Sequence, residues 1–207
     1  LLLVVSILSI NLMAQTIELP KPSATRNCDI VKALSERKST REMVAEHVSL
    51  QDLSDILWAA NGINRENEGK LTSPTARNSQ DIEVYLCRPQ GVYLYNNQKH
   101  ILEMVSDVDL LNLLEISRAT GAKDMLLIVA DMAKYNGYDP KGDNKHFYEM
   151  GAVDAGIVSQ NISLMCAAAN IATVPRAMMV HKDIQKILEF GANKVIWLNH
   201  PIGYFVK

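Results

Sequence analysis

Neither sign of charge is in excess in this chain: 21 Lys and Arg residues face 23 Asp and Glu residues among 207. Nucleic-acid binders concentrate basic residues on one face, so this balance argues against that class. Cysteine is scarce. Cys28, Cys87 and Cys166 form neither a CxxC pair nor an even set at regular spacing, so no disulfide framework follows. Cys87 and Cys166 lie in apolar runs and read as small core residues. The histidines, His47, His100, His146, His181 and His200, are isolated along the chain, and no metal cluster stands out. No GxGxxG follows a strand, no GxxxxGK[ST] occurs and no GxSxG elbow is present. A Rossmann dinucleotide site, a P-loop and a serine-hydrolase elbow are therefore excluded. An enzyme built on this chain would leave its chemistry to a bound cofactor.

Apolar residues at 48% and charged residues at 21% are those of a soluble globular domain, which excludes a disordered chain, collagen and a coiled coil. The length suits one domain with a sizeable core plus a short appendage. That appendage is visible at the start. Leu1 to Met13 is an uncharged apolar run, too short to span a bilayer, followed by Ala14 and then by polar, proline-bearing sequence. It reads as a signal peptide over residues 1–14, cut after Ala14, with no stable membrane insertion afterwards. The expected destination is export, to a bacterial periplasm, with the cytoplasm as the alternative. Residues 15–28 read as an extended arm, and residues 29–207 as the folded domain.

Within that domain, Ile30, Val31 and Leu34 fall at helical spacing. Ser49 is a good N-cap for a second helix whose apolar face is Leu50, Leu53, Ile56, Leu57 and Ala60, ending at Asn61-Gly62. Residues 62–80 read as a long polar loop, and such loops are usually functional. Ile82 to Arg88 and Gly91 to Tyr95 are strands around a Pro89-Gln90 turn, and a further segment begins near His100. Residues 107–119 read as a helix, and the apolar run Asp124 to Ala130 as a buried central strand. The stretch from Lys145 to Asn170 is apolar on nearly every face and predicts a long buried helix, so Asp154, Gln160 and Asn161 must find partners. An extended piece at Val174–Val180, a helix at Asp183–Phe190 and a strand at Lys194–Leu198 complete the chain. This order predicts an α+β domain with a mainly antiparallel sheet covered by helices.

Three segments carry polar groups that a scaffold does not need. Arg37, Lys38 and Arg41, with the hydroxyls of Ser39 and Thr40, could hold a phosphate, or could be a solvated helix end. Ser73 to Gln80 offers small residues and the amides of Asn78 and Gln80 to a flat ligand, or is an ordinary polar turn. Gly151 and Gly156 inside the long helix imply close approach of another helix or a ligand, and a dimer interface would suit them.

Taken in chain order, these segments resemble the FMN-dependent nitroreductase family. The resemblance is carried by R-x-S-x-R (Arg37, Ser39, Arg41), Leu57 to Arg65, and the P-[ST]-A-x-N-S-Q turn (Pro74 to Gln80) before the Ile82 strand. It continues through Gly91 to Tyr95, Asp154 to Leu164, Thr173 to Met178, and Ile202 to Tyr204. It departs from the family at Asn170, where glycine usually follows the long helix, and at Phe205, where proline is common. The resemblance implies an intertwined homodimer with FMN at the subunit interface. Arg37, Lys38, Ser39, Arg41 and Lys207 would hold its phosphate and ribityl chain. Pro74, Thr75, Ala76 and Asn78 of the partner would line the ring, and Val174, Pro175, Arg176 and Ala177 would pass beside its reactive edge. No residue would act as a covalent catalyst. The implied activity is ping-pong transfer of electrons from NAD(P)H to a nitroaromatic, quinone or related small acceptor. Alternatives are a specialised flavin reaction (fragmentation, dehalogenation, heterocycle oxidation) or a flavin-binding dimer without turnover.

Overall fold

The computed structural model describes residues 15–23, 25–26, 28–115 and 120–207, so the apolar run read as an export signal lies outside the described residues. In chain order the elements are β1 (Thr16–Glu18), α1 (Ile30–Glu36), α2 (Leu50–Asn61), β2 (Ile63–Arg65), β3 (Lys70–Leu71), β4 (Ile82–Arg88) and β5 (Gly91–Asn96). They continue with β6 (Ile101–Ser106), α3 (Leu111–Leu114), β7 (Asp124–Asp131), α4 (Lys145–Ala168), β8 (Ala172–Thr173), α5 (His181–Ile187) and β9 (Lys194–Gly203). Seven strands form one sheet in the order β1-β6-β5-β4-β7-β9-β8, and every pairing is antiparallel. The expected α+β class with an antiparallel sheet is what forms.

β7 explains the two-layered core. Its side chains alternate between faces. Leu126, Ile128 and Ala130 join the cluster under α2 and α4, whereas Met125, Leu127 and Val129 join a second cluster with Leu110, Leu114 and Ile184. Helices cover both faces, which is why this strand is apolar without interruption. Cys87 and Cys166 are fully buried in these cores, as small apolar residues are expected to be. Burial pushes both thiols up, Cys87 further through the nearby charge of Asp109, which keeps them protonated and unreactive.

Several local readings need correction. The segment 62–80 is not one loop: β2 and β3 pair as a short hairpin, and a 3₁₀ turn follows at Ala76–Asn78. Gly62, which ends α2 as expected, does so in an extended conformation, at φ −82° and ψ 163°. Glycine is needed there because a Cβ would run into Trp58. Within 107–119 only Leu111–Leu114 is helical among the described residues, while 116–119 lie outside them. The last strand runs on to Gly203, and Val174–Val180 contributes only one bridge, Arg176 to Asn199.

The long helix was expected to be buried almost all round, yet in one chain Val153, Gly156 and Gln160 form an exposed row. Gln160 therefore meets solvent, whereas Asp154 is buried and bonded. The helix closes with Asn170 at φ 56°, the N–H of Asn170 bonding Ala167 O and that of Ile171 bonding Cys166 O. Asparagine thus fills the left-handed cap position that glycine usually takes. Among the described residues, no helix is long and apolar enough to cross a membrane.

Candidate functional site

Arg37 caps the C-terminus of α1, donating its N–H to Ala33 O. From there the chain crosses the open edge of the sheet. The Thr40 N–H donates to Thr173 O at 2.9 Å, Met43 bridges Phe205, and the Val44 N–H donates to Tyr204 O at 3.0 Å. Gly203 allows this crossing, since a Cβ there would press on Met43 at 3.0 Å. Backbone bonds therefore gather three segments that are far apart in sequence: Arg37–Arg41, Thr173–Val174, and the tail from Tyr204 to Lys207. Lys38 Nζ sits 5.4 Å from the Phe205 ring centroid, so the aromatic residue at the family's usual proline position supports a cation. Arg41 and Lys207 are exposed and Arg37 is half-buried.

Among the described residues, no side-chain hydrogen bond or ion pair engages Arg37, Ser39, Arg41 or Lys207. Arginines without a partnering carboxylate favour an anionic ligand, and a phosphate dianion takes their fork-shaped donors. The donor set fits the phosphate of FMN.

The segment after β8 presents backbone rather than charge. Val174 is buried, and Pro175 and Ala177 are exposed. The Arg176 side chain turns inward: Nε donates to Asn199 Oδ1 at 3.2 Å, Nη2 donates to Leu114 O at 3.0 Å, and Glu115 lies 3.5 Å away. Burial lowers the Arg176 pKa, and Glu115 opposes that shift. Its role here is to fasten the segment to the loop after α3.

Behind Thr173 stands a residue that no sequence pattern marked. His200 is buried in β9, with Nε2 2.8 Å from Ser159 Oγ on α4 and Nδ1 3.1 Å from Thr173 Oγ1. Burial pulls its pKa down to about 3, so it stays neutral in the fold. The unfolded chain takes up a proton below its ordinary value near 6.5, and the folded chain does not until about 3. Stability from this group is therefore complete above pH 6.5 and lost as pH falls through that window, by at most about 1.4 kcal/mol per pH unit. Urea unfolding at pH 6.5 and pH 5 should show wild type losing about 1.6 kcal/mol more than His200→Asn.

The remaining predicted residues lie elsewhere. In the turn that carries them, Arg77, Asn78 and Gln80 have φ of 56°, 55° and 48°. Asn78 Oδ1 accepts from Lys70 Nζ, Thr75 Oγ1 accepts from the Gln80 N–H, and the Ala76 N–H donates to Asp154 Oδ2, each at 2.9 Å. Pro74 is exposed. Asp154 and the C-terminal end of α4 at Ala168 are 14 residues apart, or about 20 Å along the axis. Within one chain, the turn is thus held at the middle of α4, whereas the segment bearing Arg37 and Arg41 bonds Thr173, just past the helix's C-terminal end.

The sequence matches the nitroreductase family over residues 34–204. A candidate nitroreductase of Methanocaldococcus jannaschii is 25% identical over 201 residues, spanning 92% of this chain and 98% of that protein. The crystal structure of a candidate nitroreductase from Ralstonia eutropha JMP134 superposes with a TM-score of 0.85 at 28% identity, over 93% of this chain and 90% of that one. An FMN-dependent nitroreductase from Clostridium difficile R20291 shares the fold, with a TM-score of 0.59 at 16% identity over 86% of this chain and 88% of that one. With a family match spanning most of the folded domain, this chain belongs to the nitroreductase family.

Proposed function

We propose that this protein is an FMN-dependent oxidoreductase that passes electrons from NAD(P)H to a small acceptor such as a nitroaromatic or a quinone. The observation that carries this reading is that backbone bonds bring the segment of Arg37, Lys38 and Arg41, whose arginines have no ion-pair partner among the described residues, to Thr173 and to the tail that bears Lys207, in a member of the nitroreductase family. When bound, FMN supplies the electron-accepting and electron-donating chemistry.

The chain supplies position and charge. Arg37 and Arg41 give the phosphate fork-shaped donors, Ser39 adds a hydroxyl, and Lys38 and Lys207 add point charges. Val174 to Ala177 provides a flat, uncharged wall beside the ring edge, because Arg176 is tied away from it. Pro74 to Asn78 supplies the opposite wall from a second copy, since in one chain Asp154, which holds this turn, lies about 20 Å along α4 from the helix end that leads into β8. The homodimer is supported by apolar surface that one chain leaves open. Ile30, Val31 and Leu34 on α1 are 60%, 71% and 54% exposed, and Val153 on α4 is 63% exposed. Beside Val153, a Cβ at Gly156 would meet nothing in its own chain, which leaves room for another helix to approach closely.

Anaerobic titration tests the reaction. NADH or NADPH should bleach the visible band of the purified yellow protein, and a nitroaromatic should restore it in a separate step, as a ping-pong cycle requires. A bound flavin that neither nucleotide reduces would remove the reductase reading.

A further inference from the structure

The turn Pro74–Gln80 is held in a conformation that its residues do not favour. Arg77, Asn78 and Gln80 all sit at positive φ, a region that non-glycine residues seldom occupy. Such a turn persists only where its surroundings over-determine it. Two carboxylates stand among those surroundings. Asp154 on α4 is 3% exposed, and its Oδ2 accepts from the Ala76 N–H and from the Tyr135 hydroxyl, each at 2.9 Å. Asp81, at the end of the turn, is fully buried; its Oδ1 accepts from Ser79 Oγ at 2.9 Å, while its Oδ2 has no hydrogen-bond partner. The Asp131 N–H donates to the Asp81 carbonyl at 2.9 Å, locking this end of the turn to β7.

A bare carboxylate oxygen in a buried site is costly, and two neighbouring buried carboxylates do not both ionise. A proton on Asp81 removes both problems. It turns the orphan oxygen into a donor, and Asp154 is the acceptor beside it. We propose that Asp81 carries a proton on its orphaned oxygen and donates it to Asp154, so that the two side chains act together as positioning residues, latching the Pro74–Gln80 turn in the shape that lines the flavin ring. This inference rests on the flavin reading above.

The surrounding charges agree. Burial first, and then the charge of Asp154, push Asp81 up to about 6, against the opposing bond from Ser79. Among the described residues, no cation neutralises the pair: Lys134 reaches out to Gln80 O and towards Glu83, and Arg77 lies over the Phe147 ring. The other ionisable groups nearby are Tyr135, whose pKa burial and these carboxylates raise, and Asp131 on β7. Above pH 6 the pair gains a second negative charge in a buried space, and the two carboxylates relieve their repulsion by moving apart, which draws Asp154 off the Ala76 N–H. Below pH 6 the latch is closed.

Flavin affinity from pH 5.5 to 7.5, compared between wild type and Asp81→Asn, tests the inference. The asparagine amide donates to Asp154 at every pH, so the variant lacks the switch. The FMN phosphate's own second ionisation, near 6, affects both proteins alike and cancels in their ratio. The ratio of wild-type Kd to variant Kd should rise about tenfold across this range. In wild type without flavin, the Asp81 side-chain carbon should titrate near pH 6 by NMR, and protection of the Ala76 amide from hydrogen exchange should fall through the same pH. An Asp81 that is ionised throughout, with unchanging Ala76 protection, overturns the latch, including where Asp81→Asn fails to fold. A flat Kd ratio alongside a titrating Asp81 overturns the positioning role. A chain that binds no flavin at any pH, yet shows the titration and the loss of protection, supports the proton on Asp81 and removes the flavin reading instead.

Discussion

Replacing Arg37 and Arg41 together by alanine is expected to strip FMN from the protein while leaving the chain folded. Neither guanidinium takes part in an ion pair within the described residues, and Arg41 is exposed, so no internal bond is lost with them. Surface changes of this kind usually move stability by no more than about 0.5 kcal/mol. Each arginine–phosphate contact, by contrast, is a charge-assisted hydrogen bond of about 1.5–3 kcal/mol. Losing two weakens FMN binding by roughly a hundred- to ten-thousand-fold. Gel filtration followed by flavin release measures occupancy, and melting of the two flavin-free proteins compares their folds. A double variant that stays yellow would sink the phosphate assignment. One that unfolds would show that these residues hold the crossing segment rather than the cofactor.

The second large effect concerns Asp124, which is fully buried at the start of β7. Its carboxylate accepts from Arg88 Nε at 2.7 Å and Nη2 at 3.2 Å, and from the Val48 N–H at 2.8 Å; His47 Nδ1 lies 2.7 Å from Oδ1. This single side chain ties the loop before α2 and the end of β4 to the central strand. Asp124→Ala leaves the Arg88 guanidinium, 12% exposed, and the Val48 N–H without their acceptor. Removing one partner of a buried ion pair costs about 3–5 kcal/mol. For a chain of this size, that lowers Tm by on the order of 10 °C. Asp124→Ala with Arg88→Met should recover part of the loss, because the stranded charge goes too. A single variant melting within 2 °C of wild type would show that water, rather than Asp124, satisfies Arg88.

Some of this architecture was legible because local chemistry and tertiary structure agree. α2 starts where Ser49 Oγ accepts the Asp52 N–H, and its apolar face is the one buried. β7 reads as central because both its faces are apolar. The misreadings have physical reasons too. β2 and β3 are three and two residues long, too short to show a period. Asn199, His200 and Pro201 look like the end of a strand, yet they continue β9 because Asn199 and His200 find buried partners on other elements. The direction of the Arg176 side chain was likewise invisible, since it depends on the Leu114 carbonyl and Glu115.

The candidate site divides along the same line. Its charges were visible at Arg37, Lys38 and Arg41, and the bonds from Thr40, Met43 and Val44 bring them to β8 and the chain's end. The left-handed turn at Arg77, Asn78 and Gln80 could not be read, because it depends on Asp154, distant in sequence, as well as on the local bonds of Thr75 and Ser79.

The most direct test is the visible spectrum of the purified chain, taken together with its mass in solution. The account predicts the two absorption bands of an oxidised flavin, one flavin per chain, in a particle of twice the chain mass. A colourless protein that ignores added FMN would contradict it, leaving the family fold without the family chemistry.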